Sequence, residues 1–248
     1  MRAGPERRAH CRSPARNPPW PPNVTLLGDG RIVRATDDSR ARSHLLPTVT
    51  AEGARLVIDL PAWVAEAAVP GRAFRDDQDK MALVIRLAEE NIARGDGGPF
   101  GAAVFEIGSG KVVAAGVNRV VEAANCVLHA EMIALMFAQQ RVGSFTLRSP
   151  GRPEHELFTS CEPCAMCLGA TLWSGVTRLV IGAEREDAMA VGFEEGPVFA
   201  ESYAYIAAHG VQTVRGIRRA EAARLLRGYR DSGGPIYNPD STPPTTGL

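Results

Sequence analysis

Hydrophobic positions recur at helical spacing over residues 76–94, where the apolar stripe consists of Met81, Val84, Ile85, Ala88 and Ile92. A stripe with this period predicts an amphipathic helix. Acidic residues crowd its start and a glycine follows its end, as is typical of helix termini. The next two apolar runs, 101–107 and 111–117, are short and are joined by Gly108-Ser109-Gly110, which predicts a β-hairpin.

Helical and strand-like segments alternate through the rest of the chain. A helical run begins after His129, and Gly143 follows it as a candidate C-cap. A strand at 157–159 leads directly into a second helical run that ends near Gly175. Further strands are predicted at 178–182 and 211–214, and further helices within 56–69, 201–208 and 219–229. This alternation predicts an α/β fold in which helices cover both faces of a sheet.

The first 55 residues differ in composition from the rest. Four prolines surround Trp20, and no apolar period is present. We therefore expect residues 1–55 to be a disordered Arg/Pro-rich extension, 56–240 to be the folded domain and 241–248 to be a flexible tail. The extension holds ten Arg against five acidic residues, whereas residues 56–248 hold 18 basic and 23 acidic residues. A domain with an acidic balance is a poor candidate for binding nucleic acid, where phosphate contacts dominate affinity.

Cysteine usage and hydropathy narrow the class of protein further. The 248 residues include five cysteines, three of them clustered at Cys161, Cys164 and Cys167. So few and so clustered cysteines argue against a disulfide framework, and we expect an intracellular, cytoplasmic protein. No apolar run approaches the length of a membrane span, so no membrane association is expected.

Two short motifs carry the candidate chemistry: His129-Ala130-Glu131 and Pro163-Cys164-Ala165-Met166-Cys167. A catalytic zinc takes three protein ligands and leaves a fourth position open. His129, Cys164 and Cys167 supply three ligands of the right types. Each motif begins a predicted helix, where the helix dipole favours the thiolate form that binds metal. The two motifs predict one Zn²⁺ per chain.

Glu131 follows a predicted ligand by two residues, which places it near the metal without obliging it to bind. A carboxylate there can accept a proton from a water molecule that zinc activates and pass it to a leaving group. The combination of H-x-E with P-C-x-x-C is the signature of zinc-dependent nucleobase deaminases. The motifs therefore predict a hydrolytic deaminase, with Glu131 as its acid–base residue.

Two alternatives remain open at this point. Cys161, Cys164 and Cys167 resemble the start of an iron–sulfur run, although the fourth position holds Thr171 and no proline follows it. A non-catalytic, zinc-stabilised binding protein is the alternative from another class. Glu131 argues against it, since a structural site needs a fourth protein ligand and no proton acceptor.

From about residue 75 to 240 the chain resembles the cytidine-deaminase-like superfamily and, within it, the guanine-deaminase branch. The stretches that carry the resemblance are GGPFGA at 97–102, GVN at 116–118, HAE at 129–131, TSCEPCAMCLGA at 159–170, GFEE at 192–195 and GPIYN at 234–238. The resemblance implies a three-layer α/β/α sandwich with a mixed central sheet. It also implies hydrolysis of a purine base, guanine, to xanthine and ammonia, with guanosine, cytosine or an amino-triazine as alternative substrates.

The resemblance also implies roles for individual residues and a homodimer. Glu195 would assist proton transfer at the amino group, Asn118 would hydrogen-bond the purine, and Phe100 would stack or shape the pocket. The C-terminal segment with Tyr237 would close over the ligand. Trp173, on the cysteine helix, is interpreted as a core or dimer-interface residue.

Deletion of residues 1–55 is expected to leave fold and activity intact, because a proline-rich segment without an apolar period packs little surface. The test compares soluble yield, thermal midpoint and turnover of the truncated and full-length chains. A truncated chain that no longer accumulates in soluble form would contradict the prediction.

Overall fold

The computed structural model describes residues 24–26, 32–34, 49–50, 53–54 and 57–240. The first 55 residues belong in part to a separate compact unit, residues 1–43, in which β1 (Val24–Leu26) pairs antiparallel with β2 (Ile32–Arg34). In the second unit, residues 44–248, β3 (Val49–Thr50) pairs with β4 (Gly53–Ala54). The rest of the predicted extension and the predicted tail, 241–248, lie outside the described residues, so the domain boundaries stay predictions.

Five strands form the central sheet, in the order β6-β5-β7-β8-β9. They are β5 (Gly101–Glu106), β6 (Val112–Val117), β7 (His155–Cys161), β8 (Arg178–Ala183) and β9 (Gln212–Val214). β5 is antiparallel to β6 and to β7, whereas β7, β8 and β9 run parallel. The predicted hairpin is therefore confirmed as β5–β6, and the sheet is mixed, as expected.

Seven helices accompany the strands in the described part of the chain. They are α1 (Ala62–Ala67), α2 (Asp77–Ala93), α3 (Ala130–Val142), α4 (Ala165–Ser174), α5 (Arg185–Met189), α6 (Ala200–Ala208) and α7 (Arg219–Asp231). All the predicted helices are present. The sequence pattern missed the five-residue α5, which is too short to show a period. No described helix has the length and hydropathy that crossing a bilayer would require.

Side-chain alternation along the strands produces two cores, one on each face of the sheet. Phe105, Phe158 and Val180 point into the core that α2 and α7 cover. Val104, Leu157 and Leu179 point into the core that α3, α4 and α6 cover. The fold is thus a three-layer α/β/α sandwich. Trp173 belongs to neither core, since its residue surface is 80% exposed, and its interpretation as a core residue is wrong.

Helix α3 lies very close to β6 because Gly116 has no side chain. A Cβ at Gly116 would meet the backbone of Ala130 and of Ala134. The close approach places the start of α3, and with it His129, against the sheet. Gly143 and Gly175 end α3 and α4 in the left-handed conformation, as predicted.

A buried ion-pair network connects α2 to the middle of the sheet. Glu156 is 2% exposed, and its two oxygens lie 2.6 Å from Lys80 Nζ and 2.6 Å from Arg178 Nη1. Arg178 also binds Asp77, and this hydrogen bond lowers the pKa of the Asp77 carboxyl. Lys80 itself is buried against the rings of Phe105 and Phe158. Glu156 therefore neutralises a lysine that has little access to solvent.

Glu156→Gln is expected to lower the free energy of unfolding by about 3–5 kcal/mol, because it leaves Lys80 buried without a counter-charge. Urea denaturation measures the change. The matched control is Glu66→Gln, an exposed position, where we expect a change of no more than about 0.5 kcal/mol. Equal stability of the two variants would show that the network contributes nothing.

Candidate active site

The three predicted zinc ligands converge where two helices begin. His129 is the N-cap of α3 and Cys164 is the N-cap of α4, with Cys167 in the first turn of α4. Their ligand atoms lie within 4.8 Å of one another. In the described part of the chain, this is the one cluster of three or more His, Cys, Asp or Glu side chains with metal-binding geometry.

The distances within this cluster fit a tetrahedral zinc. His129 Nδ1 lies 3.6 Å from Cys164 Sγ and 3.5 Å from Cys167 Sγ. Tetrahedral coordination with Zn–S of about 2.3 Å and Zn–N of about 2.0–2.1 Å requires an N···S separation of roughly 3.6 Å. The three side chains are therefore already spaced to hold the ion.

Charges in the His129-Cys164-Cys167 cluster are arranged to receive a cation. A hydrogen bond from Cys167 and the neighbouring His129 lower the pKa of Cys164 to about 4, so Cys164 is a thiolate. The same hydrogen bond, together with burial, raises the pKa of Cys167. Burial lowers the pKa of His129, but the Cys164 thiolate and Glu131 raise it by more. Zinc would replace the protons that the three residues share, and this would couple metal binding to pH.

Cys161 stands apart from the cluster although it is close in sequence. It ends β7, is 3% exposed and is not among the three converging ligands. Burial raises the pKa of its thiol well above the usual range, so it stays neutral. The iron–sulfur alternative therefore finds no support among the described residues, and Cys161 is a small buried residue beside the site.

Glu131 lies in the first turn of α3, 6% exposed, beside the metal cluster. Burial raises the pKa of its carboxyl, while the charge of His129 opposes the shift. Its Oε1 lies 3.2 Å from the Thr159 hydroxyl, which is also 2.8 Å from the carbonyl of Cys161. A buried carboxyl beside the predicted metal ligands is well placed to exchange a proton with a bound reactant.

Glu195 is the second buried carboxyl of the site, at 9% exposure. Its backbone carbonyl accepts a hydrogen bond from the N–H of Ala165, the first residue of α4. Burial and the negative charges of Cys164 and Glu131 raise the pKa of its carboxyl to about 8. Glu195 is thus a buried residue of the site, although the residues on either side of it in the loop are exposed.

Asn118 follows β6 and presents an unpaired donor. Its Oδ1 accepts from the N–H of Val120 at 3.2 Å, as in a turn. The amide nitrogen, Nδ2, is buried and has no protein partner. A buried N–H₂ group without a partner carries a desolvation penalty that a ligand acceptor would remove. Asn118 thus makes a turn and also offers a ligand contact.

Tyr237 reaches the same place from the C-terminal segment. Its hydroxyl is buried and has no protein partner. A Cβ at Gly98 would lie 2.7 Å from this hydroxyl and 3.1 Å from Asn118 Oδ1. The absence of a side chain at Gly98 therefore lets the side chains of Tyr237 and Asn118 both approach the main chain at this position.

Aromatic rings form the wall next to these polar groups. Phe100 packs edge-on against Phe193 with ring centroids 5.0 Å apart, and Phe193 contacts Tyr237 at 5.2 Å. Tyr229 stacks on Phe193 with ring centroids 6.3 Å apart. The predicted residues Phe100 and Tyr237 are thus joined through Phe193.

Three supporting residues were not predicted: Phe193, Asn91 and Asn238. The Phe193 ring lies between Phe100 and Tyr237. The Asn91 amide donates to the carbonyls of Gly98 and Asn118 at 2.9 Å, and Asn238 accepts from the N–H of Glu194 and donates to the carbonyl of Gly192. Phe193 and Asn238 lie in stretches that carried the family resemblance. Asn91 lies inside the predicted helix 76–94, and nothing in its spacing marks it.

Comparison with known proteins places this site in context. Residues 74–183 match the model of the cytidine and deoxycytidylate deaminase zinc-binding region. Guanine deaminase of Bacillus subtilis (strain 168) is 36% identical over 121 residues, which are 49% of this chain and 73% of that protein.

Solved structures show the same similarity over a longer span. A guanine deaminase from Nitrosomonas europaea is 42% identical, with a TM-score of 0.69 over 71% of this chain and 97% of that chain. A protein solved in complex with 2,6-diaminopurine is 43% identical, with a TM-score of 0.69 over 73% of this chain and 96% of that chain. The similarity therefore extends well beyond the metal-binding stretch.

The purified protein is expected to contain about one zinc per chain, and Cys164→Ser or Cys167→Ser is expected to lose zinc and stability together, since metal binding is linked to folding. Elemental analysis and thermal denaturation with and without chelator measure both. Cys126→Ser, at an exposed free cysteine, is the matched control and should keep full zinc. Iron with sulfide in the protein, or metal loss in Cys161→Ala, would revive the iron–sulfur alternative.

Proposed function

The chain belongs to the cytidine-deaminase-like zinc deaminases and, within them, to the guanine deaminase branch; we propose that it hydrolyses guanine to xanthine and ammonia. The observation that carries the proposal is that two buried carboxyls, Glu131 and Glu195, lie beside one His-Cys-Cys cluster. A purely structural zinc site would use a fourth protein ligand and would gain nothing from two buried acids.

His129, Cys164 and Cys167 would hold the zinc, which would supply a nucleophile at neutral pH by lowering the pKa of a water molecule to about 7. Glu131 accepts the proton of the attacking water and delivers it to a ring nitrogen of the base. The remaining O–H proton then passes to the amino group, which leaves as ammonia while the carbonyl forms. Protein carboxyls that relay protons in this way contribute about 10²–10⁴-fold to a rate.

Glu195 supplies the second acid–base group of the proposal. Burial and its charged neighbours raise the pKa of the Glu195 carboxyl to about 8. A group with a pKa close to the working pH combines the required protonation state with driving force for transfer. We assign it to proton transfer at the departing amino group.

Recognition of the purine rests on donors that have no protein partner. Asn118 Nδ2 and the Tyr237 hydroxyl would pair with acceptor atoms of the base, while Phe100 and Phe193 would contact its ring. A site that hydrogen-bonds a particular edge rejects bases lacking that edge, because its buried polar groups are then left unpaired. We therefore expect a site with these donors to turn over guanine faster than adenine or cytosine.

A homodimer and a cytoplasmic location complete the proposal. Trp173 and Phe145 are 80% and 88% exposed. Phe145 precedes Thr146, which lies against Gly175, two residues after Trp173, so the two exposed rings share a region that a second copy could cover. The described cysteines are free thiols, as expected in a reducing compartment.

The substrate test incubates zinc-loaded protein with guanine, guanosine, adenine, cytosine and an amino-triazine, followed by chromatography and ammonia assay. We expect xanthine from guanine and little product from the other compounds. Faster turnover of guanosine, cytosine or the triazine would keep the deaminase chemistry and overturn the substrate. Absence of ammonia from every compound would favour the non-catalytic binding protein.

Two substitutions in the same assay test the acid–base residues. Glu131→Gln is expected to keep zinc and lose at least about 10²–10⁴-fold in kcat, because an amide cannot accept the proton. Glu195→Gln should also lower guanine turnover at full zinc content. Glu194→Gln is the matched control, since its side chain is exposed one residue away. A zinc-replete Glu131→Gln variant with near-normal rates would remove Glu131 from the mechanism.

A further inference from the structure

The 192–198 loop that carries Glu195 is largely exposed. Glu194, Gly196 and Pro197 are exposed, whereas the Phe193 and Glu195 side chains point inward and are buried. Asn238 holds the loop before Glu195, through Gly192 and Glu194. The N–H of Ala165 bonds the Glu195 carbonyl itself. A loop with so little buried surface also needs an attachment after Glu195 if the carboxyl is to keep one position.

Arg185 supplies that attachment. Its Nη2 donates to the carbonyl of Gly196 at 2.9 Å, and its Nη1 donates to the carbonyl of Val198 at 3.3 Å. The planar guanidinium presents its donors in a fixed fork, so two bonds to one loop restrain direction as well as distance. Asn238 and Arg185 thus hold the loop on the two sides of Glu195.

The main chain of Arg185 is attached to the metal-ligand segment. Its N–H donates to Glu162 Oε2 at 3.1 Å, and the same oxygen lies 2.6 Å from Arg215 Nη1. Glu162 is 7% exposed and precedes Cys164 by two residues. One residue therefore connects the segment that carries the zinc-binding cysteines to the loop that carries the second acid.

We propose that Arg185 is a positioning residue that fixes the Glu195 carboxyl relative to the metal cluster by clamping the carbonyls of Gly196 and Val198. The inference rests on the proposed function of Glu195. Arg185 touches neither metal ligands nor substrate in this role. Its positive charge also opposes the raised pKa of Glu195, and a variant that keeps the charge but loses the fork separates the two effects.

The chain offers a matched control for loss of such a clamp. Arg148 donates through Nη1 to the carbonyl of His209 at 3.2 Å and through Nη2 to that of Gly210 at 3.0 Å. It therefore makes the same pair of side-chain-to-backbone bonds to another exposed turn. Arg148→Met removes two equivalent hydrogen bonds to main-chain carbonyls and leaves the contacts of the 192–198 loop in place.

Arg185→Met is expected to lower kcat/KM about 10- to 100-fold at full zinc content, since a shift of about 1 Å in a catalytic group costs about that much. Arg148→Met should stay within about twofold of wild type. Arg185→Lys, which keeps the charge, should still lose activity because an ammonium cannot reproduce the fork. Full activity of Arg185→Met or of Arg185→Lys would overturn the clamp.

A double-mutant cycle with Glu195 separates positioning from general damage to the fold. In the Glu195→Gln background, Arg185→Met should cost less than about threefold more, because the group that it positions is already gone. Equal fold losses in the two backgrounds would overturn the proposal.

Hydrogen exchange gives a readout independent of turnover. The amides of residues 194–198 should exchange about tenfold faster in Arg185→Met than in wild type, and at the wild-type rate in Arg148→Met. Unchanged exchange at 194–198 would also overturn it.

These outcomes are distinct from failure of the proposed substrate. If wild type converts another compound of the base panel and leaves guanine unchanged, the substrate assignment is wrong. The Arg185 variants and wild type are then assayed with that compound as substrate. If wild type converts none of the compounds, the exchange measurement alone decides whether Arg185 holds the loop.

Discussion

The site depends on one constraint: the N-termini of α3 and α4 meet at the end of the central strand β7. An imidazole and two thiols must lie within a few ångströms of one another to bind zinc, yet they come from segments 35 residues apart in sequence. His129 and Cys164 are the N-caps of α3 and α4, and because the two helices begin close together their ligand atoms converge. The helix dipoles add positive potential that favours the thiolate and the carboxyl groups gathered there.

Packing behind the helices makes that meeting reproducible. Gly116 lets α3 lie directly on β6, and β7 runs into the cysteine segment within a few residues of its last ladder bond. The two cores hold α3 and α4 on one face of the sheet and α2 and α7 on the other. The cost is a set of buried polar groups, among them Glu131 and Asn118, and the Asn118 amide nitrogen has no protein partner.

The second layer of the site is built by loops rather than by regular elements. Glu195, Phe193 and Tyr237 lie outside the sheet, and their segments are bonded to Asn238, to Arg185 at the start of α5 and to the N–H of Ala165 at the start of α4. Such bonds are individually worth about 0.5–1.5 kcal/mol. The predicted zinc ligands therefore lie at the starts of packed helices, whereas the residues proposed to act on the amino group are held by loop contacts, both polar and aromatic.

Local chemistry allowed the sequence by itself to predict nearly all the elements, the convergence of His129, Cys164 and Cys167, and the place of Glu131 beside them. Ligand types at helix starts, apolar periods and glycine caps are signals that a short window contains. Tertiary structure alone decided that Glu195 is buried, that Phe193 links Phe100 to Tyr237 and that Arg185 grips the Glu195 loop. These facts depend on contacts between segments far apart in the chain, and no period or spacing within one segment encodes which distant carbonyl a guanidinium will reach.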